Sequence, residues 1–351
     1  MVVELARDSS PATAVVEERR QRVFSGIQPS GSSHIGNYLG AIRNWVVQQE
    51  EDDSIFCIVD LHALSLPIDP ETMRRNILNM ATVLLASGLD PARCILFVQS
   101  DVREHAELCW LLSSVTRFGE LRRMTAFKDK SAGQGESVSA ALFVYPVLQA
   151  ADIILYDTDR VPVGDDQKQH IELTRDIVNR FNQRYGETFV LPQPDIKQAG
   201  ARIMGRDDPS KKMSKSSSNP ASYIALEDEP DIIRRKIRRA VTDSGSDVVT
   251  RPDKPALTNL LTIYSLLTHE PVGTIEERYA GKGYGAFKSD LAEVVVAGIE
   301  PIQRRLVELQ NSPDVVLDTL RAGADQARVS AAAKMAIVRD RMGVGTDLRR
   351  P

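Results

Sequence analysis

Apolar residues recur along the chain with two periods, and the changes between them mark the elements. Over residues 23–27 they alternate, as in a half-buried strand. Pro29 and Gly31 end that run, Ser32 or Ser33 is placed to cap a helix, and Leu39, Ile42 and Val46 continue at helical spacing. Residues 54–59 form an apolar run around Ile55, Phe56, Ile58 and Val59, predicted as a buried strand with Asp60, Leu61 and His62 at its carboxyl end. Met73, Ile77, Met80, Val83 and Leu84 predict a helix over 70–87, stopped by Gly88, and 94–98 is the next strand. Strand, helix, strand in this order predicts an α/β fold with a parallel sheet. Ligands of such sheets bind beyond the carboxyl ends of the strands, where Gln28, His62 and residues 99–101 fall.

The pattern then turns helical through Leu108, Leu111, Leu112 and Val115 and reaches a basic stretch with Arg117, Arg122, Arg123, Lys128 and Lys130. After a glycine-containing break at 131–135, an apolar helix over 140–155 carries a single carboxylate, Asp152. Burying that group is costly unless something donates to it: a backbone amide, an arginine, or the N–H of a ligand. A short strand is predicted at 161–163, and Gly164, Asp165, Asp166 and Gln167 lead into a helix from 168 to about 184. Residues 201–204 read as a small strand. Beyond Pro220 strand patterns stop, and helices are predicted over 230–241, 256–267, 274–279, 285–310 and 315–342, with Pro301 a candidate kink.

Composition narrows the class. A chain of 351 residues with 42% hydrophobic content can form one large domain and a smaller one. No apolar run is long enough to span a membrane, and the first residues lack the apolar core of a secretory signal, so a cytoplasmic protein is expected. Residues 1–21 read as a flexible tail. The three cysteines are isolated within apolar runs, which favours reduced core thiols over disulfides or a metal cluster. A net charge of −4 gives no overall attraction to nucleic acid, so any such contact must come from local basic patches.

Two stretches carry candidate chemistry. The turn after the first strand, with Gly31 and Gly36 at a helix start, can direct backbone N–H groups at a phosphate, although an ordinary glycine-rich turn would look the same. Residues 211–220, with Lys211, Lys212 and Lys215 among serines, form a cationic loop. Such a run is commonly just solvated, but lysines three apart can surround a polyphosphate and stabilise charge in nucleotidyl transfer. Arg234, Arg235, Lys236, Arg238 and Arg239 make a further basic cluster on the first C-terminal helix.

The co-occurrence of His34-Ile-Gly-Asn37 with Lys212-Met-Ser-Lys-Ser216 resembles the paired signatures of class I aminoacyl-tRNA synthetases. Phe24-Ser-Gly-Ile-Gln-Pro-Ser-Gly31, Tyr145-Pro-x-Leu-x-Ala-Ala-Asp152 and Val161-Pro-Val-Gly-Asp-Asp-Gln-Lys-Gln-His170 narrow the resemblance to the bacterial tryptophanyl-tRNA synthetase family, over about residues 23–343. It implies activation of L-tryptophan by Mg-ATP to the adenylate plus pyrophosphate, then transfer to tRNA(Trp). It implies a Rossmann-type catalytic domain over 22–220, with a helical dimerisation segment at about 103–160 and the lysine loop at 211–217. An α-helical anticodon-binding domain would follow over 221–351, its last helix a candidate for packing back on the catalytic domain. A homodimer whose tRNA spans both subunits is also implied.

By the same resemblance Phe24, Gly26, Tyr145, Gln149, Val161 and Val163 surround the indole, Asp152 accepts its N–H, and His62 and Gln167 assist at the substrate amine and carboxylate. Gln28, Pro29, Ser30, His34, Gly36 and Asn37 hold ATP, Gly164, Asp165 and Asp166 contact the ribose, and Ile203 packs near the adenine. Met213, Ser214 and Ser216 belong to the ATP-binding loop, and Lys130, Lys212 and Lys215 surround the triphosphate. Mg2+ arrives with ATP, and no resident metal is implied. Gln149 departs from the methionine common at that point in the family, and the iron–sulphur variant is excluded by the missing cysteine cluster. The alternatives are a tyrosyl-tRNA synthetase, a non-catalytic regulator binding tryptophan or RNA, and another adenylyl transferase of this fold.

Overall fold

A computed structural model describes residues 19–31, 33–125, 127–128, 138–164, 167–195, 202–213, 219 and 222–346. The expected positions Ser32, Lys130, Asp165, Asp166, Ser214, Lys215 and Ser216 lie outside these. Among the described residues, five parallel strands form one sheet in the order β3-β2-β1-β4-β5: β1 Arg22–Ile27, β2 Asp53–Ile58, β3 Cys94–Val98, β4 Arg160–Pro162 and β5 Gln193–Asp195. The α/β fold read from the sequence is therefore the observed one.

β2 shows why the central strands read as continuous apolar runs. Successive side chains point to opposite faces, and both faces are covered. Phe56 and Ile58 pack on one side with Ile42, Trp45 and Leu84. Ile55 and Cys57 pack on the other with Phe97, Val147, Ile154 and Phe181. β1 pairs with β2 along its full length but with β4 only at Val23 and Arg160. The chain order also reverses between β1 and β4, so the sheet parts there, at the switch point where α/β proteins bind ligands.

The helices are α1 Ile35–Asn37, α2 Arg43–Glu51, α3 Asp60–Ala63, α4 Pro70–Ala86, α5 Glu104–Ser113, α6 Phe118–Arg123, α7 Ala140–Ile154 and α8 Lys168–Tyr185. They continue with α9 Pro230–Arg238, α10 Pro255–Thr268, α11 Val272–Tyr279, α12 Gly283–Gln310 and α13 Pro313–Met342. A five-residue π-turn, Tyr38–Ile42, joins α1 to α2. Pro301 sits inside α12 without ending it. Among the described residues 202–204, Met204 makes an isolated antiparallel bridge to Lys212 and does not join the sheet.

The last helix returns to the sheet and lies along its edge strand, β3. The approach requires glycine at 323, because a Cβ there would stand 2.0 Å from the Leu96 carbonyl oxygen. The edge strand is covered by this helix. One apolar core runs from Phe56 and Met80 through Leu260 and Phe287 to Ile299, without a break between the sheet and the C-terminal helices. Cys57, Cys94 and Cys109 are free, and burial foremost pushes the Cys94 and Cys109 thiols up to about 12.

Candidate functional site

A cleft of about 1010 Å³ opens where the sheet parts. It is lined by eleven of the positions singled out in the sequence: Phe24, Gly26 and Gln28 from β1 and its turn, His62 after β2, Tyr145, Gln149 and Asp152 on α7, and Val161, Val163, Gly164 and Gln167 from β4 onward. The sequence reading missed Trp45, Thr125, His170 and Glu172, which also line it. Gly26 has its own steric reason: a Cβ there would stand 2.9 Å from the Val59 side chain.

Asp152 is 1% exposed, and its donors are neither a backbone amide nor an arginine. Gln99 Nε2 donates to its Oδ1 at 2.7 Å, His105 Nδ1 meets the same oxygen at 2.7 Å, and His62 Nε2 meets Oδ2 at 2.8 Å. Burial alone would raise this pKa, but hydrogen bonds from His105 and His62 outweigh it and hold the carboxyl below the usual range. The group is ionised in a wall that it shares with the apolar Phe24, Val59, Ile153, Val161 and Val163 and the polar His62 and Gln149. Tyr145 stands edge-on to His62, with ring centroids 6.2 Å apart, and its hydroxyl meets His170 Nε2 at 2.9 Å. Apolar side chains beside a fixed, ionised acceptor suit a large flat ring that carries one N–H.

The remaining described positions do not line the cleft. His34 takes the capping place expected of a serine: its Nδ1 accepts from the Asn37 N–H at 3.3 Å, and Asn37 Oδ1 accepts from the His34 N–H at 3.1 Å. This reciprocal cap seals the start of α1. Burial, reinforced by the Lys212 charge, lowers the His34 pKa to about 4, so the imidazole is neutral at pH 7. Since Nδ1 accepts, its proton is on Nε2. Lys212 is exposed, whereas Ile203 and Met213 are buried in the core beside Ile35 and Ile224. Pro29 is buried and Ser30 exposed in the turn.

The two signature segments are in direct contact. Ile35 N–H donates to the Ile224 carbonyl at 2.9 Å, Leu226 N–H to the Ser33 carbonyl at 3.1 Å, and Met213 N–H to the Ile203 carbonyl at 3.0 Å. The backbone that follows residues 214–218 is thus tied to the turn after β1, and Met213, just before them, is tied to Ile203. In the C-terminal basic cluster, Glu293 takes Arg234 in a two-bond pair and Asp228 pairs with Lys236, so those two cations are already matched.

The model of the family described as tRNA synthetases class I (W and Y) matches residues 16–299. A tryptophan-tRNA ligase of Caldanaerobacter subterraneus is 52% identical over 325 residues, covering 92% of this chain and 98% of the relative. The crystal structure of tryptophanyl-tRNA synthetase from Mycoplasma pneumoniae is similar at a TM-score of 0.84 and 36% identity, covering 94% of this chain and 100% of that one. The Campylobacter jejuni tryptophanyl-tRNA synthetase complexed with ADP and tryptophan is similar at 0.79 and 38% identity, covering 92% and 100%.

Proposed function

The chain belongs to the class I tRNA synthetases of the tryptophan and tyrosine type, and we infer that it is a tryptophan-tRNA ligase. It activates L-tryptophan with ATP and esterifies the amino acid to tRNA(Trp). The observation that carries this reading is the buried, ionised Asp152 at the wall of the cleft, beside the apolar Phe24, Val161 and Val163. An indole offers one N–H and a wide apolar face. A phenol matches neither the shape nor the donor position, which separates tryptophan from tyrosine. Relatives near 50% identity carry the tryptophan name, which supports the same choice.

In the first step a carboxylate oxygen of tryptophan attacks the α-phosphorus of ATP and the bond to pyrophosphate breaks. No protein nucleophile is required, so the enzyme's contribution is alignment and charge stabilisation. Gln28, His34, Gly36 and Asn37 hold the nucleotide at the turn after β1, Gly164, Asp165 and Asp166 meet its ribose, and Lys130, Lys212 and Lys215 stabilise the triphosphate. Mg2+ enters as part of the Mg-ATP substrate. A ribose hydroxyl at the tRNA end then attacks the acyl carbonyl and AMP leaves.

The working unit is a homodimer in the cytoplasm. Trp110 is 79% and Phe118 68% exposed on the α5–α6 surface, and Phe118 packs beside Phe143 with ring centroids 5.0 Å apart. An apolar face of this kind suits a second copy of the chain. No described helix is long and apolar enough to cross a membrane. The deciding experiment is ATP–pyrophosphate exchange with each amino acid in turn. Exchange driven by tryptophan supports the reading, and exchange driven only by tyrosine overturns it.

A further inference from the structure

We propose that His105, held by the hydroxyl of Tyr156, is a positioning residue for tryptophan recognition, fixing Asp152 so that one acceptor position of its carboxylate remains for the indole. The proposal rests on the reading of the cleft as a tryptophan site. His105 and Tyr156 are 0% and 1% exposed and do not line the cleft, so they act through Asp152 without touching substrate.

A carboxylate has about four lone-pair positions. On Asp152, Gln99 and His105 occupy both positions of Oδ1, and His62 occupies one of Oδ2. Among the described residues, one position of Oδ2 is left. The direction of each donor follows from the chemistry. An ionised carboxylate only accepts, so His105 donates from Nδ1, and in the neutral form of the imidazole Nε2 is then an acceptor. Tyr156 Oη lies 2.8 Å from that Nε2. Burial, with the negative charge of Asp152 and Glu104 adding to it, pushes the phenol far above its ordinary range, so it keeps its proton and donates. With the imidazole neutral, the chain Tyr156 to His105 to Asp152 runs in one direction, and the tyrosine selects the histidine tautomer that holds the carboxylate.

Tyr156 also stacks on Phe24, with ring centroids 5.9 Å apart and planes inclined by 10°, and Phe24 lines the cleft. One buried ring thus supports both the acceptor and an apolar wall. Two ion pairs from the last helix hold the segments that carry this pair. Lys334 Nζ meets Asp157 Oδ1 at 2.6 Å and the Thr188 carbonyl at 2.8 Å, and Arg339 Nε meets Glu107 Oε1 at 2.6 Å. Asp157 follows Tyr156, and Glu107 lies two residues from His105.

The test is steady-state ATP–pyrophosphate exchange by the full chain and three variants, His105→Leu, His105→Asn and Tyr156→Phe, with KM measured separately for tryptophan and ATP. Loss of a hydrogen bond to a charged group predicts a rise of roughly 10- to 100-fold in KM for tryptophan in His105→Leu, with KM for ATP unchanged. His105→Asn, whose amide can replace the Nδ1–H donor, recovers most of the loss. Tyr156→Phe shows a smaller rise of the same kind. If His105→Leu fails to fold, the other two variants decide. A Tyr156→Phe enzyme with unaltered KM for tryptophan, a folded His105→Leu enzyme with unaltered KM, or parallel rises in both KM values would overturn the inference. Failure of the unmodified chain to exchange with tryptophan would instead overturn the functional reading beneath it.

Discussion

Gly36 and Met213, 177 positions apart in sequence, meet so closely that a Cβ added to Gly36 would lie 3.3 Å from the Met213 Cβ and 3.0 Å from His34 Nδ1. The turn after the first strand and the start of the lysine loop are therefore packed against each other by the absence of a side chain. Gly36→Val pushes the two apart and disturbs the His34 cap. The expected outcome is a fall of about tenfold or more in the rate of tryptophan-dependent pyrophosphate exchange, from misplacing groups that must be aligned, with tryptophan binding little changed. An exchange rate equal to that of the unmodified enzyme would show that this contact does not set the site.

Asp152→Ala removes the acceptor and leaves the donors of Gln99, His62 and His105 without this partner. Tryptophan affinity is expected to fall roughly 10- to 100-fold, and preference for tryptophan over tyrosine to fall with it. Competition between the two amino acids in the exchange assay measures this. Unaltered discrimination would contradict the role given to the carboxylate.

Much of this site is legible in the sequence because single residues stand out against their surroundings. Asp152 is conspicuous as the one carboxylate in an apolar helix, and the strands at 54–59 and 94–98 are conspicuous because burial on both faces demands unbroken apolar runs. His105 gives no such signal: it lies in the first turn of a helix, 47 positions from its partner, and only the folded chain brings the two together. β5 is equally silent, since Gln193, Pro194 and Asp195 contain none of the apolar alternation that marks a strand. Serine was the expected cap because its short hydroxyl commonly fills that place, yet His34 takes it through a ring nitrogen.

Lys215→Ala is expected to slow adenylate formation by about 100-fold or more, because a cation that stabilises charge developing at the triphosphate acts mainly in the transition state. Tryptophan affinity should stay within about twofold on the same argument. Single-turnover formation of the adenylate reads the first quantity and equilibrium binding the second. An unchanged activation rate would remove the lysine from the mechanism.

His34 predicts a pH dependence of stability with a definite sign. Its pKa is lowered from 6.5 to about 4 in the folded chain, so between those values the unfolded chain binds a proton that the folded chain does not. Stability is therefore lost as pH falls from about 6.5 toward 4. His34→Asn, which keeps a side-chain acceptor at the helix start but does not titrate there, should show a shallower fall in melting temperature over this window. Superimposable curves for the two proteins would refute the assignment.

The account as a whole rests on tryptophan being the amino acid that this cleft activates and delivers. The most direct measurement is charging of tRNA(Trp) and tRNA(Tyr) by the purified chain with Mg-ATP and labelled tryptophan or tyrosine. The prediction is tryptophan attached to tRNA(Trp), with neither amino acid attached to tRNA(Tyr). Transfer of tyrosine to tRNA(Tyr), or no charging of either tRNA by a chain that binds tryptophan, would contradict it.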